Sequence, residues 1–312
     1  MQIFIAGATG VLGRRLVDQF TDRGYTTVGL TRDERGDTIV ESHGGEPRRG
    51  DLFDEESVVR AATGADVLIH AATAIPTDDP SPEDWELNNR VRHEGAQTLT
   101  KAAATVGADQ YLQQSIVWVA RQPDGSSFDE ESPRHPVPST QSAVDAEDIS
   151  READEQYGFD VGILRCGYFY APDAYHTQEH GEALIQGDQP IIDGSEDAQI
   201  SRVHVSDAAS AFVAAAEENL SGVWHAVDNE PVTMAEFSTT LAEHLDAPAP
   251  ERISEAVARR EMGDVQVELF STPMPTSNAK LRAETNWEPK YSTYRDGLDS
   301  VVKTWRSDNI LN

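Results

Sequence analysis

Three glycines near the start of the chain have the spacing of an anion-binding turn. Gly7, Gly10 and Gly13 stand in "IFIAGATGVLGRRL", between a short apolar run and a segment where Leu12 and Leu16 recur at helical spacing. In such a turn the first glycine permits a tight bend, the second lets a pyrophosphate approach the backbone, and the third lets the helix pack on the strand. The N–H groups and dipole at the helix start attract the anion. The pattern therefore predicts a dinucleotide phosphate site.

The elements that would position this turn alternate between strands and helices. Apolar or β-branched runs such as "QIFIAG", "YTTVGL", "ADVLIHAA", "QYLQQSIVWV" and "FDVGILR" are separated by helical stretches. This order predicts a doubly wound parallel sheet of the Rossmann type, with helices on both faces. After residue 165 the alternation loosens. We therefore expect a dinucleotide-binding domain over 1–165 and a smaller C-terminal α+β substrate lobe over 166–312, with residues 200–220 returning to the first domain.

The composition limits the possible partners. The chain has 55 Asp and Glu residues against 25 Lys and Arg, a formal net charge of −30 over 312 residues. This surface repels nucleic acid and anionic membranes, so we expect neither as a partner. The acids are spread along the chain, as in proteins adapted to high salt, which screens their repulsion. A role in docking substrate is the alternative reading.

The location follows from what the chain does not contain. No stretch approaches the roughly 20 apolar residues of a membrane-spanning helix. Met1 leads directly into a strand-like run, so we expect no signal peptide. Cys166 is the single cysteine, which excludes an intramolecular disulfide, and its apolar surroundings predict a buried, unreactive thiol. We therefore expect a cytoplasmic protein.

Further segments follow the glycine turn in a family-specific order. They are "GDLFD" at Gly50–Asp54, "DVLIHAA" at Asp66–Ala72, "GAQTLTKAA" at Gly95–Ala103, "LRCGYFYAP" at Leu164–Pro172, "RVHVSDAA" at Arg202–Ala209 and "NWEPKYSTYRDGL" at Asn286–Leu298. With these motifs the chain resembles the extended short-chain dehydrogenase/reductase superfamily, the NAD-dependent epimerase/dehydratase family, over roughly nine-tenths of its length. The resemblance implies an NAD(P) cofactor, a small-molecule substrate and a homodimer.

The resemblance also assigns the cofactor contacts. The residues expected to touch the dinucleotide are Gly7, Thr9, Gly10, Val11, Leu12, Gly13, Arg32, Asp51, Leu52, Ala71 and Ala72. The second strand ends in Thr31, Arg32 and Asp33, where NAD-specific relatives place an acid on the ribose. Arg32 can instead hold a 2′-phosphate with its planar fork, so we predict NADP. Asp33 keeps NAD open as the alternative.

The family's acid/base pair is missing from the expected place. Relatives carry a Ser or Thr after the fifth strand and a Tyr-x-x-x-Lys pair at the start of a later helix, where the Tyr moves the proton. Ser115 matches the first position, or Ile116 does if the register differs by one residue. Counting back from Glu147 places Ser139 and Ala143 where the Tyr and Lys belong, and no tyrosine of the chain has a Lys four residues later. We predict Ser115 as a catalytic residue.

Other polar groups near these segments could replace the pair. The candidates are Glu131, Arg134, His135, Tyr168, Tyr170 and His176. Two functions stay open. One is an NAD(P)-dependent oxidoreductase or epimerase/dehydratase-like enzyme acting on a sugar nucleotide or a small carbonyl or carbinol. The other is a non-catalytic dinucleotide-binding sensor or structural protein.

One further motif has the spacing of a metal site. "HTQEH" at His176–His180 spells H-x-x-E-H, which some zinc peptidases use. The motif lies in the expected substrate lobe and no third ligand is evident, so we predict no metal.

Overall fold

The fold follows from a computed structural model that describes residues 1–77 and 82–311. Its strands are β1 Gln2–Ala6, β2 Thr26–Thr31, β3 Glu46–Arg49, β4 Val67–His70, β5 Gln110–Ile116, β6 Asp160–Cys166, β7 Tyr168–Tyr170, β8 Ile191–Ile192, β9 Gln199–Ile200, β10 Arg202–His204, β11 Gly222–Ala226, β12 Val232–Thr233 and β13 Arg252–Ile253. Its α-helices are α1 Val11–Asp22, α2 Glu34–Ser42, α3 Glu55–Ala62, α4 Trp85–Val106, α5 Gln141–Tyr157, α6 Tyr175–Gln186, α7 Val205–Glu217, α8 Met234–Leu245, α9 Glu255–Met262, α10 Asp264–Ser271, α11 Ala279–Glu284 and α12 Tyr294–Asp308.

Seven parallel strands form the central sheet, in the order β11-β6-β5-β4-β1-β2-β3. The chain runs from β1 towards one edge through β2 and β3, and from β4 towards the other through β5, β6 and β11. The direction therefore reverses between β1 and β4. In open α/β sheets ligands bind outside the carboxyl ends of the strands at such a reversal. The predicted Rossmann-type α/β fold is confirmed.

Two apolar layers cover the sheet. In β1, Ile3 and Ile5 face the layer that contains α1 and α7, whereas Phe4 and Ala6 face the layer that contains α3, α4 and α5. Successive side chains of a strand point to opposite faces, so a strand covered on both sides needs a continuous apolar run. This is why "QIFIA" shows no alternation.

The C-terminal half contributes to both parts of the molecule. Helix α7 packs beside α1, where the Gln19 amide donates to the Ser206 carbonyl at 2.8 Å. Strand β11 then pairs with β6 from Gly222 to Ala226. The return to the sheet thus includes residues beyond 220. The remaining residues form a lobe whose core joins α8 and α12, and there Trp305 Nε1 donates to Pro172 O at 2.7 Å.

Candidate cofactor and substrate site

The glycine turn lies at the reversal between β1 and β4. Gly7 has φ +90°, and a Cβ at that position would lie 2.6 Å from the backbone of Ala71 and Ala72. A Cβ on Gly13 would overlap the Gly7 carbonyl oxygen. Gly10 N–H donates to that oxygen at 2.9 Å, and Gly10 caps α1 without a side chain. The helix start is therefore open to an anion, and the residues present fit a dinucleotide phosphate.

The other predicted residues of this loop differ in what they offer. Leu12 is buried in the core beneath the turn, so only its backbone can contact a cofactor. Thr9 and Val11 are partly exposed. Just beyond the turn, Arg14 and Arg15 both bind the Asp173 carboxylate at 2.5 Å, which ties α1 to the segment after β7.

The turn after β2 presents two arginines beside the acids Asp33 and Glu34. Arg32 and Arg35 are exposed, and neither forms an ion pair or hydrogen bond with another described residue. The Asp33 carboxylate instead accepts from Gly36 N at 2.8 Å and caps α2. Its neighbour Asp37 binds Arg49 at 2.6 Å. The geometry therefore leaves Arg32 available for a ligand and commits Asp33 to the helix.

Asp51 and Leu52 lie at the end of β3, on the adenine side of the expected site. The Asp51 carboxylate is exposed and accepts from Phe53 N at 3.0 Å. Leu52 is half-buried, and its Cδ2 would lie 3.0 Å from a Cβ on Gly95 of α4. Leu52 therefore packs against α4.

Ser115 belongs to a buried ionic network. Its hydroxyl donates to Glu147 Oε1 at 2.7 Å, and Glu147 binds Arg165 through two bonds of 2.8 Å. The exposed fractions of these side chains are 2%, 0% and 1%. Arg134 and Arg151 approach the same carboxylate at 3.4 and 3.7 Å. The placement argues against the predicted catalytic role of Ser115, because its hydroxyl is enclosed and already bound.

A row of polar side chains crosses the sheet beside this network. Ser115 of β5, Arg165 of β6 and His225 of β11 are lateral neighbours in the parallel ladder. Burial lowers the pKa of His225 to about 3, and Nδ1 of its ring lies 2.7 Å from Thr276 Oγ1. Three neighbouring strands therefore carry ionisable or hydroxyl side chains at the same level of the sheet.

The start of α5 differs from the sequence prediction by one residue. Thr140, not Ser139, occupies the N-cap position, although its side chain forms no capping hydrogen bond to the helix. The Thr140 hydroxyl instead accepts from Val137 N in the preceding turn at 2.9 Å. Ser139 is exposed. Ala143 is buried among apolar side chains on the inner face of the helix, four residues before Glu147. A groove of about 550 Å³ lies between α4 and the start of α5, and its lining includes Pro138, Gln141 and Ser142 beside these positions.

The alternative proton donors are mostly held elsewhere. Glu131 approaches Lys280 at 3.6 Å, Arg134 binds Asp148 at 2.7 Å, and His135 is an exposed loop residue. Tyr170 is buried in the lobe core.

The two histidines of "HTQEH" have separate partners on α6. His176 Nε2 donates to Phe169 O at 2.6 Å, and His180 Nε2 is hydrogen-bonded to Ser238 Oγ at 3.0 Å. Within residues 1–77 and 82–311 no three His, Cys, Asp or Glu side chains gather as a metal site. Burial raises the pKa of Cys166, in keeping with an unreactive thiol.

Aromatic side chains and a buried arginine lie at the carboxyl ends of β5 and β6. The Trp118 ring lies 5.5 Å from the Tyr168 ring, and His176 packs edge-on against Tyr168 at 5.2 Å. The guanidinium of Arg202, on β10, lies 4.9 Å from the centroid of the Tyr168 ring, and Arg202 is 1% exposed. A second buried arginine, Arg92 of α4, forms no ion pair with the described residues, and burial lowers its pKa to about 10.

Sequence reasoning missed both arginines as site residues. Arg202 lies in a segment that resembles the family, and Arg92 lies three residues before another, on the same helix. The only available signal is that each cation stands inside an apolar helical or strand period.

The profile of the NAD dependent epimerase/dehydratase family matches residues 3–225. The chain belongs to this family. It is 31% identical over 311 residues to a Streptomyces 3-diazoavenalumate denitrifying reductase, covering 96% of this chain and 99% of the relative. It is 27% identical to a ceramide reductase of Caulobacter vibrioides, covering 96% and 89%.

Solved structures agree on the fold. A Thermus thermophilus UDP-glucose 4-epimerase in complex with NAD superposes with a TM-score of 0.80, covering 98% of this chain and 99% of that one at 24% identity. A human epimerase family protein with NADPH gives the same TM-score at 17% identity, covering 97% and 99%. The family and the glycine turn assign a nicotinamide dinucleotide cofactor and an NAD(P)-dependent, oxidoreductase- or epimerase-like enzyme. No helix in the described parts of the chain combines the length and apolarity needed to cross a membrane.

Proposed function

We propose that this family member is an NADPH-dependent reductase whose substrate accepts a hydride without a proton from the protein. The observation that carries the proposal is the start of α5. There, Ser139 is an exposed turn residue and Ala143 is buried among apolar side chains. Neither can act as the family's Tyr and Lys do. Ser115, the third expected member, is enclosed by Glu147.

The chemistry of the acceptor decides whether a proton donor is needed. When bound, the dihydronicotinamide supplies a hydride. A ketone that receives hydride becomes an alkoxide and relies on a general acid, which contributes about 10²–10⁴-fold to the rate. A cationic acceptor, such as an aryl diazonium group, becomes neutral on receiving hydride and needs no proton in that step. The similarity to a reductase named for a diazo compound supports this class of acceptor.

The choice of NADPH rests on Arg32. Its guanidinium is exposed and uncommitted at the end of β2, with Arg35 one turn further on, whereas Asp33 caps α2. A planar guanidinium matches a phosphate through two parallel hydrogen bonds. NAD, through a ribose contact, is the alternative.

One assay tests the proposal. The purified protein is mixed at high salt with NADPH, and oxidation is followed at the absorbance of the reduced cofactor. The acceptors are a stabilised aryl diazonium salt, an aryl ketone of similar shape and a sugar nucleotide. We expect turnover with the diazonium salt at least tenfold above the enzyme-free rate, and little with the others. Turnover of the ketone or sugar nucleotide alone would contradict the proposed acceptor class.

A non-catalytic role is the second candidate. The chain is 32% identical over 117 residues to a Cyanophora paradoxa photosystem II assembly factor, which covers 38% of this chain. Together with the missing Tyr and Lys, this supports a dinucleotide-binding protein without turnover. NADPH binding with no oxidation on any acceptor would favour this second candidate.

The surroundings of the protein are proposals as well. The acidic surface supports a cytoplasm of high salt concentration, where repulsion is screened. The long helices α4 and α5 lie side by side, with partly exposed outer faces, and we propose them as the interface of a homodimer.

A further inference from the structure

Arg202 is a buried cation without an anion. Only 1% of its side chain is exposed, and its guanidinium forms no ion pair with any carboxylate of the described residues. Nε has no hydrogen-bond partner, and Nη2 contacts only the thioether sulfur of Met234 at 3.5 Å. A buried charge is strongly unfavourable unless it is paired and hydrogen-bonded. The protein alone does not supply that partner.

The guanidinium of Arg202 lies over the faces of two aromatic rings. Its central carbon lies 3.8 Å from the Phe237 ring centroid and 4.9 Å from that of Tyr168. Stacking stabilises a cation but leaves its N–H edge unsatisfied. Trp118, which packs on the same Tyr168 ring, also has a buried indole N–H without a partner. Two unused donors therefore border one aromatic side chain.

The buried carboxyl group of Asp228, which lies near Arg202, does not pair with it. Asp228 is buried, its Oδ2 lacks a hydrogen-bond partner, and burial raises its pKa to about 8. No hydrogen bond or ion pair joins the Asp228 and Arg202 side chains, although both lie in the part of the chain that the structure describes.

The position of the group is that of a substrate site. Trp118 follows β5 and Tyr168 follows β6, so both lie at the carboxyl ends of neighbouring parallel strands. Ligands of open α/β sheets bind at this edge. Both side chains are partly exposed, while Arg202 lies behind Tyr168.

We propose that Arg202 binds the carboxylate of an aromatic or conjugated acid, whose ring packs against Trp118 and Tyr168. The inference rests on the proposed function and names its substrate class. One guanidinium surrounded by rings suits a single planar carboxylate, which it can bind with two parallel hydrogen bonds. A nucleoside diphosphate carries more charge, and the neighbouring His176 and His180 are kept neutral by burial, which lowers their pKa values.

Met234 is the side chain that an incoming carboxylate displaces. It contacts the guanidinium and lines a cavity of about 10 Å³, together with Ile191, Ile192 and Phe270. A space of this size holds about one water molecule. Methionine is flexible enough to leave and return without disturbing the surrounding core.

The test uses the full chain and needs no turnover. Isothermal titration calorimetry compares trans-cinnamate with trans-cinnamamide, which has the same ring and length without the charge. We expect cinnamate to bind at least tenfold more tightly. Arg202→Gln is expected to remove this preference, whereas Arg252→Gln, which removes an exposed arginine of the same lobe, is expected to preserve it.

Several results would overturn the assignment. Equal binding of the two ligands to the unaltered protein would do so, as would the absence of cinnamate binding at millimolar concentration. Retention of the preference in Arg202→Gln would do so too. NADPH binding by each variant reports whether that variant is folded. If Arg202→Gln does not fold, the comparison of cinnamate with cinnamamide on the unaltered chain tests the proposal by itself. Cinnamate binding without reduction of any acceptor would support this site and count against the proposed reductase.

Discussion

Glu147→Gln is expected to destabilise the protein far more than the same substitution in an exposed ion pair would. Glu147 is fully buried and holds Arg165 through two bonds of 2.8 Å, and it accepts from Ser115 at 2.7 Å. Removing one partner of a buried ion pair costs about 3–5 kcal/mol, because the other charge stays buried and uncompensated. Arg134 and Arg151 would then face Arg165 without the carboxylate between them. We expect a loss of about 4 kcal/mol in the free energy of unfolding.

Urea denaturation at constant high salt, followed by tryptophan fluorescence and far-ultraviolet circular dichroism, measures this loss. The matched control is Arg151→Gln, because this arginine is 45% exposed and lies 3.7 Å from the carboxylate. A pair of that kind contributes at most about 1 kcal/mol.

The double variant Glu147→Gln, Arg165→Met tests whether the loss of stability comes from the uncompensated charge of Arg165. Since it removes both charges, we expect it to be more stable than Glu147→Gln alone. A Glu147→Gln loss below about 1 kcal/mol would refute the view that this network fixes α5 to the sheet.

Four further outcomes are expected. Gly7→Ala should weaken NADPH binding about 100-fold in a fluorescence titration, since φ +90° and the nearby Ala71 backbone both oppose a Cβ, and unchanged affinity would contradict the placement of the turn. Arg32→Ala should reduce the preference for NADPH over NADH about tenfold, and an unaltered ratio would instead favour NAD. Burial lowers the pKa of His70 to about 4, so the unfolded chain takes up a proton near pH 6.5 that the folded chain does not, and the free energy of unfolding should fall as the pH drops from 6.5 towards 4. His70→Gln should reduce this pH dependence by about 1.4 kcal/mol per pH unit in urea titrations. An unchanged slope would show that His70 is not responsible for it. Raising KCl from about 0.1 to 2 M should increase the melting temperature of a chain with net charge −30, and a fall would argue against adaptation to high salt.

The parts of the fold that sequence predicts are those whose signal is local. Strands β1 and β4 are continuous apolar runs, and the glycine turn between β1 and α1 depends on backbone geometry that glycine alone allows. Strand β3, by contrast, reads "EPRR". It is an edge strand, where charged residues and proline replace the apolar pattern because one side of the ladder is open.

The parts of the site that sequence cannot predict depend on contacts between distant segments. Whether Ser115 or Ile116 takes the family's Ser/Thr position depends on the register of β5, and the contact of Ser115 with Glu147 is made only in the folded chain. Arg202 matters because β10 pairs with β7 and places it behind Tyr168. Neither contact can be predicted from the composition or residue spacing of a single segment.

The late arrival of β11 in the central sheet bears on how the chain matures during synthesis. Strand β6 gains its outer neighbour only when residues 222–226 have left the ribosome, and the side of α1 that packs against α7 stays exposed until α7 has been made. Until then the nascent chain presents an unpaired parallel strand and an apolar helix face, both of which favour self-association. A fragment ending at residue 165 should therefore aggregate rather than fold, although it holds the whole glycine turn. The residues expected to contact the dinucleotide are therefore all synthesised before β11 and α7, which complete the sheet and the helix layer around them.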